Sequence, residues 1–201
     1  CQGVNKPNMN QAGSEQADRI TGDAGADTLR GLGGNDTLYG GEGNDLLYGG
    51  RAVYDPSEQG DWLCGDDGSD TIYGNGGNDT LYGGSGIVDP LDAADTIYGG
   101  MGNDLIYGNG GDDLLFGNEG DDTIYGGIGD NRLAGSSGVD RFVISSGSVT
   151  TTITDFLTTG AEKIDLQALG ITSFGQLTLQ QQGADARIDV AGQHIILTDV
   201  A

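Results

Sequence analysis

The chain has 201 residues, with 40 Gly, 31 Asp and Glu, only 8 Lys and Arg, and a formal charge of −23. A surface of that sign repels nucleic acid and anionic lipid, which excludes both as partners and leaves cations. Acid and glycine content of this order suits a disordered chain unless the apolar residues prove periodic.

Residues 1–12, CQGVNKPNMNQA, show no period and read as an N-terminal tail. The sequence shows neither a signal peptide nor an apolar run long enough to span a membrane. Cys1 and Cys64 make neither a disulfide framework nor a zinc site, and whether they bond to each other depends on the fold.

From residue 13 the chain repeats every nine residues, as in GLGGNDTLY (31–39), GGEGNDLLY (40–48) and GNGGNDTLY (74–82). With the acidic residue as the sixth position, thirteen units run through Asp18, Asp27, Asp36, Asp45, Asp61, Asp70, Asp79, Asp95, Asp104, Asp113, Asp122, Asn131 and Asp140. Two positions on, the residue is Leu, Ile or Phe every time, from Ile20 to Phe142. That regularity rejects disorder. Each unit reads as a glycine-rich turn and a three-residue strand whose middle side chain points inward, so stacked units bury a thin apolar ladder that none could form alone.

From Ala52 to Asn131 there are 17 carboxylates and no Lys or Arg, so nothing in that stretch can pair with them. Calcium takes six to eight oxygens from carboxylates and carbonyls, and an Asp after a glycine-rich turn offers both. The nonapeptide resembles the calcium-binding repeat of the RTX family. The resemblance implies an all-β, right-handed parallel β-roll of two units per coil, about 6.5 coils here, with ions between turns stacked on one edge. On this chain it implies side-chain ligands at Asp27, Asp36, Asp45, Asp61, Asp70, Asp79, Asp95, Asp104, Asp113, Asp122 and Asp140. Backbone carbonyl ligands would come from Gly31, Gly33, Gly40, Gly43, Gly74, Gly76, Gly99, Gly102, Gly108, Gly110, Gly117 and Gly120. If every gap held an ion, about 11 Ca²⁺ would nearly cancel the formal charge. Asn131, the first unit with Gln16 at its fourth position, and the two turns ending at Asp61 and Asp95 are the expected weak sites.

The roll is expected over 13–143, with seven-residue insertions near 52–60 and 86–94. They fall in the fifth and eighth units and should project from opposite edges. Asp55-Pro56 and Asp89-Pro90 read as turn initiators in these surface loops. Seven of the eight tyrosines occupy ninth positions, with Phe116 in the same series. They predict outward aromatic ladders, which serve either sheet stacking or contact with a second copy or a cell surface.

Residues 144–201 lose the period and read as a β-rich cap over the open end of the roll, with ARIDV and HIILT as paired strands. ITDF and KIDLQAL resemble the segment that follows RTX repeats in secreted bacterial proteins. Adjacent acids such as Asp112-Asp113 follow from the repeat, and His194 reads as a half-exposed strand residue, so no catalytic role is expected.

The implied function is a non-catalytic module that folds on Ca²⁺ outside the bacterial cell, in a surface-attached or self-assembling protein such as an adhesin, surface layer or filament subunit. The alternative is the RTX module of a larger secreted enzyme, such as a protease, lipase or alginate epimerase. Cys1 resembles the lipid-bearing cysteine of bacterial lipoproteins, which would anchor the roll to a membrane and favour the first reading.

Overall fold

The computed structural model describes residues 8–51, 58–86, 92–158 and 160–200. Cys1, Asp55-Pro56 and Asp89-Pro90 lie outside them, so the Cys1 anchor and its bond to Cys64 do too. Among the described residues the strands are β1 (Asn10–Ala12), β2 (Arg19–Thr21), β3 (Thr28–Leu32), β4 (Thr37–Glu42), β5 (Leu46–Gly50), β6 (Trp62–Asp67), β7 (Thr71–Gly76), β8 (Thr80–Tyr82) and β9 (Thr96–Met101). They continue as β10 (Leu105–Tyr107), β11 (Leu114–Glu119), β12 (Thr123–Tyr125), β13 (Gly129–Ser137), β14 (Arg141–Val143), β15 (Ser148–Ile153), β16 (Lys163–Asp165), β17 (Thr178–Gln182), β18 (Asp185–Val190) and β19 (Gln193–Leu197).

Successive strands alternate between two parallel sheets, one in the order β1-β3-β5-β7-β9-β11-β13-β15 and the other running from β2 through the even strands to β16. The chain is therefore a parallel β-roll with two units per coil. Its register follows the eighth position: Leu29 pairs with Leu47, Leu47 with Ile72, and Ile72 with Ile97. Partners lie 18 residues apart in uninterrupted coils and 25 apart across an insertion, so the extra seven residues leave the strands in step. The first insertion joins β5 to β6 and the second joins β8 to β9, which puts them on opposite edges.

The core is a single inward residue per strand. Leu29, Leu38, Leu47, Leu63, Ile72, Leu81, Ile97, Ile106, Leu115, Ile124, Leu133 and Phe142 are all fully buried. Such a column gives little apolar burial for the backbone it orders. β1 falls within residues assigned to the tail on sequence grounds, yet it pairs with β3, because the edge of the first coil still has a backbone to offer.

On the outer faces, Tyr48, Tyr73, Tyr98 and Phe116 stack at centroid spacings of 4.9–5.1 Å. The other sheet carries Tyr39, Trp62, Tyr82, Tyr107 and Tyr125. Trp62 stands in that row because Cys64 occupies the ninth position of its unit, and the indole tilts across between Tyr39 and Tyr82. Arg19 and Arg30 cover the first ring of each row, at 4.4 and 5.1 Å from the centroids. Among the described residues Cys64 is a buried cysteine without a disulfide partner, its Sγ 3.1 Å from Asp66 Oδ1.

At the C-terminal end, β19 adds parallel to β15, and β18 and β17 follow antiparallel. The β18–β19 hairpin turns at Ala191 and Gly192, both with positive φ, the geometry a tight two-residue hairpin requires. Phe156, Ile164, Leu166 and Leu169 pack on the last coil, with the Phe142 and Phe156 rings 6.2 Å apart. His194 lies in β19, its Nδ1 2.6 Å from Asp189 Oδ1 and beside Arg187. Among the described residues no helix is long and apolar enough to cross a membrane.

Candidate metal centres

Each turn begins where the chain leaves one sheet and ends on the sixth-position acid that leads into the other. Gly fills the fourth position of ten of the thirteen units, as at Gly43 (φ 128°) and Gly102 (φ 116°), where the turn closes through a backbone conformation that side chains disfavour. Gly68 shows the second reason for glycine: a Cβ there would overlap the carbonyl oxygen of Gly43 one coil before.

The sixth-position acids form two columns. On one edge Asp18 N–H donates to Asp36 Oδ1, and the chain of bonds continues through Asp61, Asp79, Asp104, Asp122 and Asp140 at 2.7–3.0 Å. On the other, Asp27, Asp45, Asp70, Asp95, Asp113 and Asn131 are linked in the same way. The columns therefore gather all eleven aspartates singled out from the sequence. Asp61 and Asp95, expected to be weak after their insertions, stand in line at 4% and 2% exposure because the insertion ends before the acid.

One oxygen of each carboxylate is held by that N–H. In ten of the eleven the other, Oδ2, is buried and has no hydrogen-bond partner among the described residues: Asp36, Asp45, Asp61, Asp70, Asp79, Asp95, Asp104, Asp113, Asp122 and Asp140. Asp27 differs, since Asp23 N–H donates to its Oδ2 at 2.8 Å. At Asn131 the equivalent atom is Nδ2, a donor, which cannot serve a cation.

These orphaned oxygens face carbonyls. A Cβ on Gly31 would land against Asp36 Oδ2 and 2.6 Å from Gly49 O, and one on Gly99 against Asp104 Oδ2 and 2.6 Å from Gly117 O. Of the first-position carbonyls the sequence implied, those of Gly31 and Gly40 lie beside Oδ2 of Asp18 and Asp27, which accept the amides of Ser14 and Asp23, while those of Gly74, Gly99, Gly108 and Gly117 stand beside orphaned oxygens. So do Gly49, Gly65, Gly83, Gly126 and Gly135, which it missed although the register marks them. Fourth-position carbonyls of Gly43, Gly102 and Gly120 are aimed at the next coil. Gly33, Gly76 and Gly110 sit at third positions; at two other third positions the carbonyl, of Asp67 and of Glu119, accepts the amide of Gly43 and of Gly102.

Burial is the largest influence on these acids, and it pushes Asp95 and Asp104 up to about 9, Asp79 and Asp113 to about 8, and Asp61, Asp70 and Asp122 to about 7. The donated N–H opposes the shift, and neighbouring carboxylates in the column reinforce it. Among the described residues no three Asp, Glu, His or Cys side chains converge. A cation here would therefore draw most of its ligands from carbonyls. Buried oxygen acceptors without donors, from carboxylate and carbonyl alone, fit a hard divalent cation such as calcium.

Two further ladders were invisible in the sequence. At the fifth position, Asn103 N–H donates back to Asn78 Oδ1, Asp121 N–H to Asn103 and Val139 N–H to Asp121. Ser69 N–H to Asn44, Asp130 N–H to Asp112 and Thr150 N–H to Asp130 do the same on the other edge. At the end of the roll, Asp155 of ITDF accepts Gly135 N–H at 3.1 Å and Ser136 N–H at 2.7 Å, standing in for a coil that does not follow.

Gly99→Ala should drive a methyl group into the Asp104 and Gly117 oxygens and cost about 2 kcal/mol with weakened ion binding. Thermal melts of the variant across a calcium titration would check both effects.

The family of RTX calcium-binding nonapeptide repeats matches the chain in four copies, at residues 21–51, 57–87, 91–115 and 107–142. No curated protein sequence matches. Among solved structures, the chain is similar to the extracellular lipase LipA from Serratia marcescens, at 17% identity and a TM-score of 0.29. That match covers all of this chain and 39% of the lipase chain.

Proposed function

The chain belongs to the RTX calcium-binding nonapeptide-repeat family, and on that premise we propose that it is a structural module, not itself catalytic, which folds when it meets calcium outside the cell. Its repeats bind calcium and its fold is a parallel β-roll. In our reading it is part of a surface-attached or self-assembling bacterial protein, such as an adhesin, surface layer or filament subunit. The outward aromatic rows support a contact role, since stacked rings run along each face, from Tyr48 to Phe116 on one and from Tyr82 to Tyr125 on the other.

The observation that carries the reading is the pair of columns with ten buried, unpartnered Oδ2 atoms. In this reading Asp36 to Asp140 present those oxygens, the first-position carbonyls complete the donor set, and each Oδ1–amide bond fixes the carboxylate's angle. Calcium, when bound, supplies the positive charge and oxygen coordination that the columns otherwise lack. The single histidine holds Asp189 and Arg187, so its contacts serve the cap.

Equilibrium dialysis of the full chain against radiolabelled calcium should return several ions per chain, up to about 11. Retention of fewer than about two would refute the module reading.

A further inference from the structure

The two interrupted turns share a stem that ordinary turns lack. Ordinarily an acid at the third position faces solvent, as Glu42, Asp67 and Glu119 do. Counting back from Asp61 and Asp95, the third position is Glu58 on one edge and Asp92 on the other, and both are turned in. A Cβ added to Gly50 would overlap the Glu58 carboxylate, and one added to Gly84 the carboxylate of Asp92. Arg51 N–H donates to Glu58 Oε1 at 3.1 Å, and Gly110 N–H to Asp92 Oδ2 at 3.3 Å. On the following coil, Asn75 Nδ2 donates to Gly50 O at 2.9 Å and Asn109 Nδ2 to Gly84 O at 2.8 Å. The inward acid over a second-position glycine and the asparagine bond to that glycine thus occur twice, on opposite edges.

The arrangement needs an insertion. In a nine-residue unit the second and third positions are consecutive, and a side chain cannot fold back over the residue just before it. Seven extra residues let the chain leave after Gly50 or Gly84 and re-enter with its third-position acid facing inward.

Turning an acid inward here sets charge against charge. Glu58 adds to the field on Asp61 and Asp79, and Asp92 to that on Asp70, Asp95 and Asp113. The Oδ2 atoms of those five aspartates are buried and without hydrogen-bond partners. Arg51 pairs with Glu15, and there is no Lys or Arg from Ala52 to Asn131.

We propose that Glu58 and Asp92 are cation ligands, one on each edge, each giving its interrupted turn a side-chain carboxylate that ordinary turns do not have. The inference rests on the calcium reading above. Because no three acids converge, each shares an ion with one stacked aspartate and turn carbonyls. The interrupted turns are then the strongest sites of the roll and not the weakest.

Calcium titration calorimetry on the full chain tests this with Glu58→Gln, Asp92→Asn, the double variant, and Glu42→Gln as a control at an exposed third position. Each single variant should weaken binding at one site by roughly tenfold, since ligand charge sets affinity, and the double variant should lose two. Their calcium-free forms should be no less structured than wild type, because each loses a repelling charge. Glu58→Asp, which keeps the charge, should recover part of the loss where a merely structural side chain would not. Variants that bind as Glu42→Gln does, beside a wild type that binds and folds, overturn the proposal. A wild type that takes up no calcium overturns the underlying reading instead.

Discussion

In excess chelator the chain should lose most of its β-sheet circular dichroism and its cooperative melt, and both should return when calcium is restored. Within each column successive carboxylates stand one strand apart, roughly 4.8 Å, and only a single apolar side chain per strand opposes their repulsion. An ion present at a hundred times its dissociation constant adds about 2.7 kcal/mol per site. Four such sites supply about as much as the whole stability of an ordinary domain, so removing them removes the fold. Trp62, held between Tyr39 and Tyr82, gives an independent fluorescence signal for the same transition. A β signal and a melt unchanged in chelator would refute this account.

Without calcium, acid should restore structure that neutral pH removes. Burial raises these carboxylates above their ordinary value of 3.8, so the folded roll holds protons more tightly than the unfolded chain. The stability from that preference is complete below the unfolded value. It is lost as pH rises through the folded values, from about 6 at Asp45 through about 7 at Asp70 to about 9 at Asp104. Calcium-free chain should therefore be more structured near about pH 5 than near about pH 8. Calcium binding runs the other way, because ligand carboxylates must be ionised, so the calcium midpoint should rise on acidification. Dichroism at the two pH values without calcium, then calcium titrations at both, would measure the opposing slopes. A calcium-free chain better folded at the higher pH would contradict the assignment.

The nine-residue period made the inward ladder and the recurring acids legible before any coordinates, because each depends on one residue type recurring at one position, and the RTX resemblance added the two units per coil that sort them into two sheets and two columns. What was not legible depends on neighbours 18 or 25 residues away. Asn44, Asn78 and Asp112 look like turn filler in sequence, and become acceptors only when the amide of the next coil stands above them. Trp62 sits at a seventh position, and only the absence of a ring at Cys64 explains its place in the aromatic row. Glu58 and Asp92 carry no signal as acids in an acidic chain. Their meaning comes from direction, which an insertion of seven residues reverses.

The fifth-position ladder also has mechanical consequences. In the turns ending at Asp70, Asp104 and Asp122 two successive amides pull opposite ways, one toward the coil before and one toward the coil after, as Asn103 and Asp104 do. The fifth positions of the interrupted turns are Gly60 and Ala94, which have no side-chain oxygen to offer, so the backward strap is missing there on each edge. Stretched along its axis, the roll would part more readily at those two coils than at the strapped ones, and a ligand bridging them would decide how much force the whole length could bear.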